Sequence, residues 1–180
     1  MCNNFTATSF WPHWRKPLDM EIRRCNDEIE LSELDPFLAE LLRQIPASAD
    51  PKGTAAAEQR LFSRPANETD LCNEWKLYVE PELRRLFQTA TETVATDLEQ
   101  LNGSEKTLAN RTLRISRKHA DAWLSALNQA RLVIAAKYNF SDVELGDHFR
   151  SPIGSRRDLS LFQVNFYGFL QECILREAID

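Results

Sequence analysis

Thr112-Leu113-Arg114-Ile115-Ser116, followed by the run Arg117 to Tyr138, is the stretch whose reading decides the fold. Thr112 to Ile115 alternates polar and apolar, the period of a half-buried strand. Ser116 then suits a helix N-cap, because its hydroxyl can accept a hydrogen bond from an amide of the first turn. Ala120, Trp123, Leu124, Leu127, Arg131, Ile134 and Tyr138 follow at three- and four-residue steps, which is one helix face. Ala126, Ala130, Leu132, Val133, Ala135 and Ala136 widen that face, so the helix is expected to be central with neighbours on both flanks. Asn128 and Arg131 fall within the apolar surface and need partners wherever they are buried.

Outward from this run, Glu21 to Cys25, Asn26-Asp27 and Glu28 to Leu31 read as a β-hairpin, since Asn and Asp tolerate the left-handed turn conformations. That register places Ile22 opposite Leu31 and Arg23 opposite Glu30, both chemically matched pairs. Two strands alone are marginal in water, so the strand at Thr112–Ile115 is expected to complete a small antiparallel sheet. A first helix carries Leu34, Phe37, Leu38, Leu41, Leu42 and Ile45, with Ser32 and Asp35 as cap and Pro46 as its end. Ala47 to Lys52 reads as a loop. Shorter helices follow at Thr54–Phe62 and Asp70–Val79. Pro81 is expected to start a long helix bearing Leu83, Leu86, Phe87, Ala90, Val94, Leu98 and Leu101, closed at Asn102-Gly103. Ser141 to Arg157 reads as a mobile surface loop. The last helix, Asp158 to Ala178, is apolar around much of its circumference, so it either packs deeply or meets a second copy.

The fold class expected is therefore mainly α: a helical bundle with a small sheet made of a hairpin plus one strand. At 180 residues, 43% hydrophobic and 27% charged, the chain has the size and composition of one globular domain. Residues 20–180 are taken as that domain. Residues 1–19 form a leader holding Phe5, Phe10, Trp11 and Trp14; it reads as a flexible tail, the alternative being an aromatic arm that docks on its own domain or on a partner.

Within the run Ala122 to Leu132, the sequence resembles a helix of an uncharacterised bacterial family, domain of unknown function twenty-seventeen. The resemblance extends from about Met20 to the C-terminus, over an order of strand pair, Leu-rich helix, long helix, tryptophan helix and aromatic last helix. The chain departs from it at Gln129, where members usually carry Asp, and in its leader. The resemblance brings no activity and no catalytic residue. Members encoded beside the ClpS adaptor of the Clp protease imply a regulatory role linked to proteolysis.

Charge is uneven. The chain carries net −5, with −8 over residues 20–101 and +5 over residues 102–138. Mutual neutralisation inside one fold explains this; a whole-chain basic signature for nucleic acid is lacking, and a nucleic-acid partner is not expected. Cys2, Cys25, Cys72 and Cys173 have no paired spacing, which argues for thiols in a reducing, cytoplasmic setting and against thiolate metal sites. Neither a signal-peptide core nor a membrane helix is read.

The sequence offers four candidate sites. Arg114, Ser116, Arg117 and Lys118, with His119, could bind a small anion at the start of the central helix; the competing explanation is charge balance with Glu28 and Glu30. Asp142, Glu144, Asp147 and His148 could offer oxygen and imidazole ligands, but their spacing matches neither a calcium loop nor a His-Glu-x-x-His helix, and no metal or cofactor is expected. His13, His119 and His148 lack a nucleophile motif, so no catalytic residue is named. Trp75, Tyr78, Trp123, Asn128, Arg131, Phe166, Tyr167 and Phe169 supply core or partner surface. The function expected is a non-enzymatic cytoplasmic interaction or regulatory protein, with homodimerisation as one mode; the alternative is an anion-binding protein or enzyme using the basic helix start.

Overall fold

The structure is a computed structural model and describes residues 20–63, 69–101, 111–146 and 153–179. Strands β1 (Glu21–Cys25) and β2 (Glu28–Leu34) form the hairpin, with Asn26 in the left-handed region at φ 57°. Ile22 pairs with Leu31 and Arg23 with Glu30. β3 (Arg111–Ser116) joins β2 antiparallel, with Leu113 opposite Leu31 and Arg114 opposite Glu30, so the order is β1-β2-β3. Because side chains alternate along a strand, one face presents Ile22, Ile29, Leu31, Leu113 and Ile115, all buried, to the helices.

Helix α1 (Pro36–Arg43) starts later than expected. β2 continues past Ser32 through an irregularity between Leu31 and Leu34, with Glu33 at φ 60°. That kink buries Leu34 and delivers Asp35, not Ser32, to the cap, where Asp35 Oδ1 accepts from the Leu38 amide at 2.7 Å. Pro46 does not end the helical run. It sits in the first turn of α2 (Ile45–Ala49), where its missing N–H is no loss, and the expected loop from Ala47 is helical as far as Ala49. α3 (Ala55–Leu61) agrees with its expected span.

The helix break expected before Pro81 is absent. α4 (Thr69–Glu74), a π-turn (Trp75–Val79), α5 (Glu80–Leu98) and a 3₁₀ turn (Glu99–Leu101) form one unbroken rod. The widened turn bonds the Glu80 N–H to the Trp75 carbonyl, so the chain passes a proline that cannot donate without leaving the helical path. The expected cap at Asn102-Gly103 lies outside the described residues.

After β3, a 3₁₀ turn (Arg117–His119) leads into α6 (Ala120–Tyr138), which packs against α2, α3, α5 and α8 (Arg156–Ile179). Trp123, Ala126, Leu127 and Ala130 are completely buried. The alanines let neighbouring backbones approach on several sides, and this is why α6 is central. Asn139 at φ 49° closes the helix. The expected loop after it begins with a short helix, α7 (Asp142–Gly146): Ser141 and Glu144 cap each other, the Glu144 carboxylate accepting from the Ser141 amide at 2.9 Å. Phe166, Tyr167, Leu170 and Ile174 of α8 are buried by α6 and the sheet of the same chain. Among the described residues, no helix is long and apolar enough to cross a membrane.

Candidate functional site

The basic start of the central helix is largely occupied by the protein itself. Ser116 flanks the 3₁₀ turn without a side-chain capping bond, and α6 begins at Ala120. The Arg114 guanidinium donates to Glu30 Oε2 at 3.0 Å across the sheet, and Arg23 Nε donates to Glu30 Oε1 at 2.9 Å. The two guanidinium groups hold the Glu30 carboxyl below its ordinary range, Arg23 contributing most. Arg117 donates to the Ala178 carbonyl at 2.7 Å, near the C-terminal end of α8. Lys118 is exposed. The β-sheet thus supplies the charge balance through Glu30, and a helix end supplies it for Arg117.

His119 serves the core. Its Nδ1 lies 3.0 Å from Asp97 Oδ2, and the Trp123 indole donates to the same oxygen at 2.8 Å. Asp97 is 8% exposed. A buried carboxylate with two such partners anchors α5 to α6 through Trp123, a contact that sequence spacing alone does not reveal across 26 residues.

Two of the expected surface residues separate. Asn128 faces solvent, contrary to its expected place within the apolar surface, whereas the adjacent Gln129 is buried. Arg131 is half-buried between α6 and α8, donating to Gln171 Oε1 at 2.6 Å, while Gln171 donates to the Leu124 carbonyl. Burial pushes the Arg131 guanidinium down from its ordinary value. Gly168 makes room for it: an added Cβ there would meet the guanidinium carbon at 3.2 Å. Phe166 and Phe169 are core. Trp75 is only half-buried, packed beside Leu83 and Phe87 on a second apolar cluster of Ala57, Leu61, Phe62 and Val133.

Leu61 and Phe62 of that cluster, with Phe87, line a cleft of about 420 Å³ between α2, α3, α5 and α6. Phe62 and Phe87 lie in it with ring centroids 5.8 Å apart. Its rim carries Asp50, Lys52, Glu58, Arg84 and Glu92. Arg84 sits 3.8 Å above the Phe62 ring and donates to Glu58 and Glu80, at 2.7 and 2.8 Å; the Glu58 contact does most to raise its pKa. Gln129, 3% exposed, lines the cleft from α6. Its amide nitrogen donates to Ser125 Oγ at 3.2 Å, and its oxygen takes no hydrogen bond from the described residues. The sequence reading did not anticipate the cleft and named Gln129 only as a departure from the family the chain resembles; the polar residue one step from Asn128 on an apolar helix was the available signal.

Outside the cleft, the first half of the rod leaves apolar side chains uncovered. Leu77 and Tyr78 are 65% and 68% exposed, and Leu71, Val79 and Leu86 are also exposed. The long apolar side expected for this helix is buried only from Ala90 onward.

Glu144 does not join a metal cluster. It accepts from Ser141 and Arg157, which hold its pKa at about 2. Among the described residues, no group of three or more histidine, cysteine or carboxylate side chains is placed to hold a metal ion. Asp147, His148 and His13 lie outside the described residues.

The model of one family, described as Domain of unknown function (DUF2017), matches residues 21–178. No curated protein and no solved structure matches the chain.

Proposed function

The chain belongs to the DUF2017 family, a domain whose function is unknown, and we propose that it is a non-enzymatic cytoplasmic interaction module whose partner surface is the first half of the α4–α5 rod. The observation that carries this reading is the exposure of Leu71, Leu77, Tyr78, Val79 and Leu86 along one rigid segment. Large apolar side chains grouped on an exposed element cost solvation until a partner covers them. The rest of the rod shows the contrast: from Ala90 to Leu101 its apolar residues are covered by the protein's own core. Scattered cysteines support the cytoplasmic assignment. The family resemblance supports Clp-dependent proteolysis as the setting, and self-association through the same surface gives a homodimer.

Affinity capture from the native cell tests this, using the full chain and a Leu77→Glu, Tyr78→Glu variant as baits. The wild type is expected to recover partners, Clp components among them, that the variant loses. Identical recoveries from both baits, together with monomeric mass for both, would overturn the reading. A variant-sensitive set without Clp components would remove the proteolytic setting alone.

A further inference from the structure

We propose that the side of the rod bearing Leu71, Val79 and Leu86 docks a basic amphipathic helix of another protein, whose apolar stripe lies on these side chains and whose lysine or arginine groups meet Asp70 and Glu74. This rests on the reading of the rod as the partner surface and names the chemistry of the partner.

The rod sets two rows of residues side by side. Leu71, Trp75, Val79 and Leu83 recur at four-residue steps, and Leu86 follows three residues later, which is one side of a helix. In a regular α-helix such a row drifts around the axis. The π-turn at Trp75–Val79 closes from the Glu80 N–H to the Trp75 carbonyl and is wider by about one residue per turn, so it brings Leu71 into line with Val79 and Leu86. These three are exposed, and the half-buried Trp75 and Leu83 border them where they pack on the second apolar cluster. No residue of α4 or of the π-turn is fully buried. From Leu71 to Leu86 the row is about 22 Å long at 1.5 Å per residue, or about four turns of a partner helix. An amphipathic helix carries an apolar stripe of that form.

The neighbouring row is acidic. Asp70, Glu74, Tyr78 and Glu82 also recur at four-residue steps, one position before the apolar row. Glu82 accepts from Arg85 at 2.8 Å, and Arg84 is held by Glu58 and Glu80. Asp70 and Glu74 are exposed and form no ion pair among the described residues. Lys76, also exposed, falls with Leu77 toward the other side of the rod by helical spacing. An apolar row edged by unpaired carboxylates favours an occupant with cations along its flank, because complementary charge speeds encounter and fixes orientation. An antiparallel pairing of two copies would set one acidic row against the other, so a second copy is the poorer match.

The test is isothermal titration calorimetry of the full chain with two synthetic helical peptides. Both carry leucine at three- and four-residue steps; one has lysine at the remaining positions and the other glutamate. The wild type is expected to bind the lysine peptide and not the glutamate peptide. Asp70→Lys with Glu74→Lys should weaken the lysine peptide about tenfold or more and admit the glutamate peptide. Leu71→Ser with Leu86→Ser should lose the lysine peptide without any change of charge. All four positions are exposed, and circular dichroism matching the wild type reports that each variant is folded. A lysine peptide that fails to bind, or that binds regardless of either variant, would overturn the proposal. So would a wild type that is already dimeric through this row, shown by a dimer mass that Leu71→Ser with Leu86→Ser abolishes. If the peptides fail while the Leu77→Glu, Tyr78→Glu bait still loses its captured proteins, the basic helix falls and the rod stands as a partner surface; if that bait loses nothing, both fall.

Discussion

At the scale of single residues, Glu30 is the side chain whose surroundings say most. It is buried on the outer face of the sheet beneath Arg23 and Arg114, and they hold its folded pKa below the value of a free carboxyl. The unfolded chain therefore binds a proton there more readily than the folded one, and the sign follows. Glu30 adds stability at neutral pH, and that stability is lost as pH falls below about 4.3, the ordinary glutamate value, toward the depressed folded value. Glu30→Gln should lower stability at pH 7 and flatten the acid limb of a stability-versus-pH curve measured by denaturant titration. A variant curve parallel to the wild type between pH 5 and 3 would contradict the assignment. Among the other polar groups of the core, Tyr167 follows the same logic of satisfied burial: its hydroxyl donates to the Leu41 carbonyl at 2.7 Å and accepts from Gln163, and desolvation pushes its pKa up to about 12.

At the scale of elements, local signals were legible where periodicity and pairing agreed. The hairpin register, the joining of β3 and the central place of α6 could all be read, because matched cross-strand pairs and a helix apolar on several sides leave few arrangements. The errors gather at prolines and caps. Pro46 and Pro81 read as boundaries, yet one opens a short helix and the other follows a π-turn; a proline excludes one hydrogen bond, and tertiary packing decides whether the chain bends or passes. Ser32 and Ser116 read as caps, and Asp35 took over the first because an irregular β2 moved the helix start by three residues. Asp35→Ala should destabilise the protein by about 0.5–2 kcal/mol, whereas Ser32→Ala, which removes no capping bond, should cost less; urea unfolding of the two variants compares them directly. Equal losses would place the cap back at Ser32. The candidate site was less legible than the fold. Arg114, Arg117 and His119 were grouped by sequence distance, but their partners Glu30, Ala178 and Asp97 come from distant parts of the chain. The cleft is assembled from four helices, and no local pattern announces it.

At the scale of the whole molecule, one helix is enclosed and another is half uncovered. α6 is held by Trp123 to Asp97, by its alanines to α2 and α3, and by Arg131 to α8. The rod formed by α4 and α5 shares that core only over its second half. Such an arrangement puts the highest local stability at the centre and the lowest at the exposed apolar end, where binding is proposed. Amide hydrogen exchange on the full chain, resolved by residue, tests this most directly. The account predicts that amides from Trp123 to Ile134 exchange slowest, through global unfolding, while those from Leu71 to Val79 exchange much faster and slow when a partner binds. Faster exchange in α6 than in α4 would contradict it, because the helix around which everything is packed would then be the one that opens first.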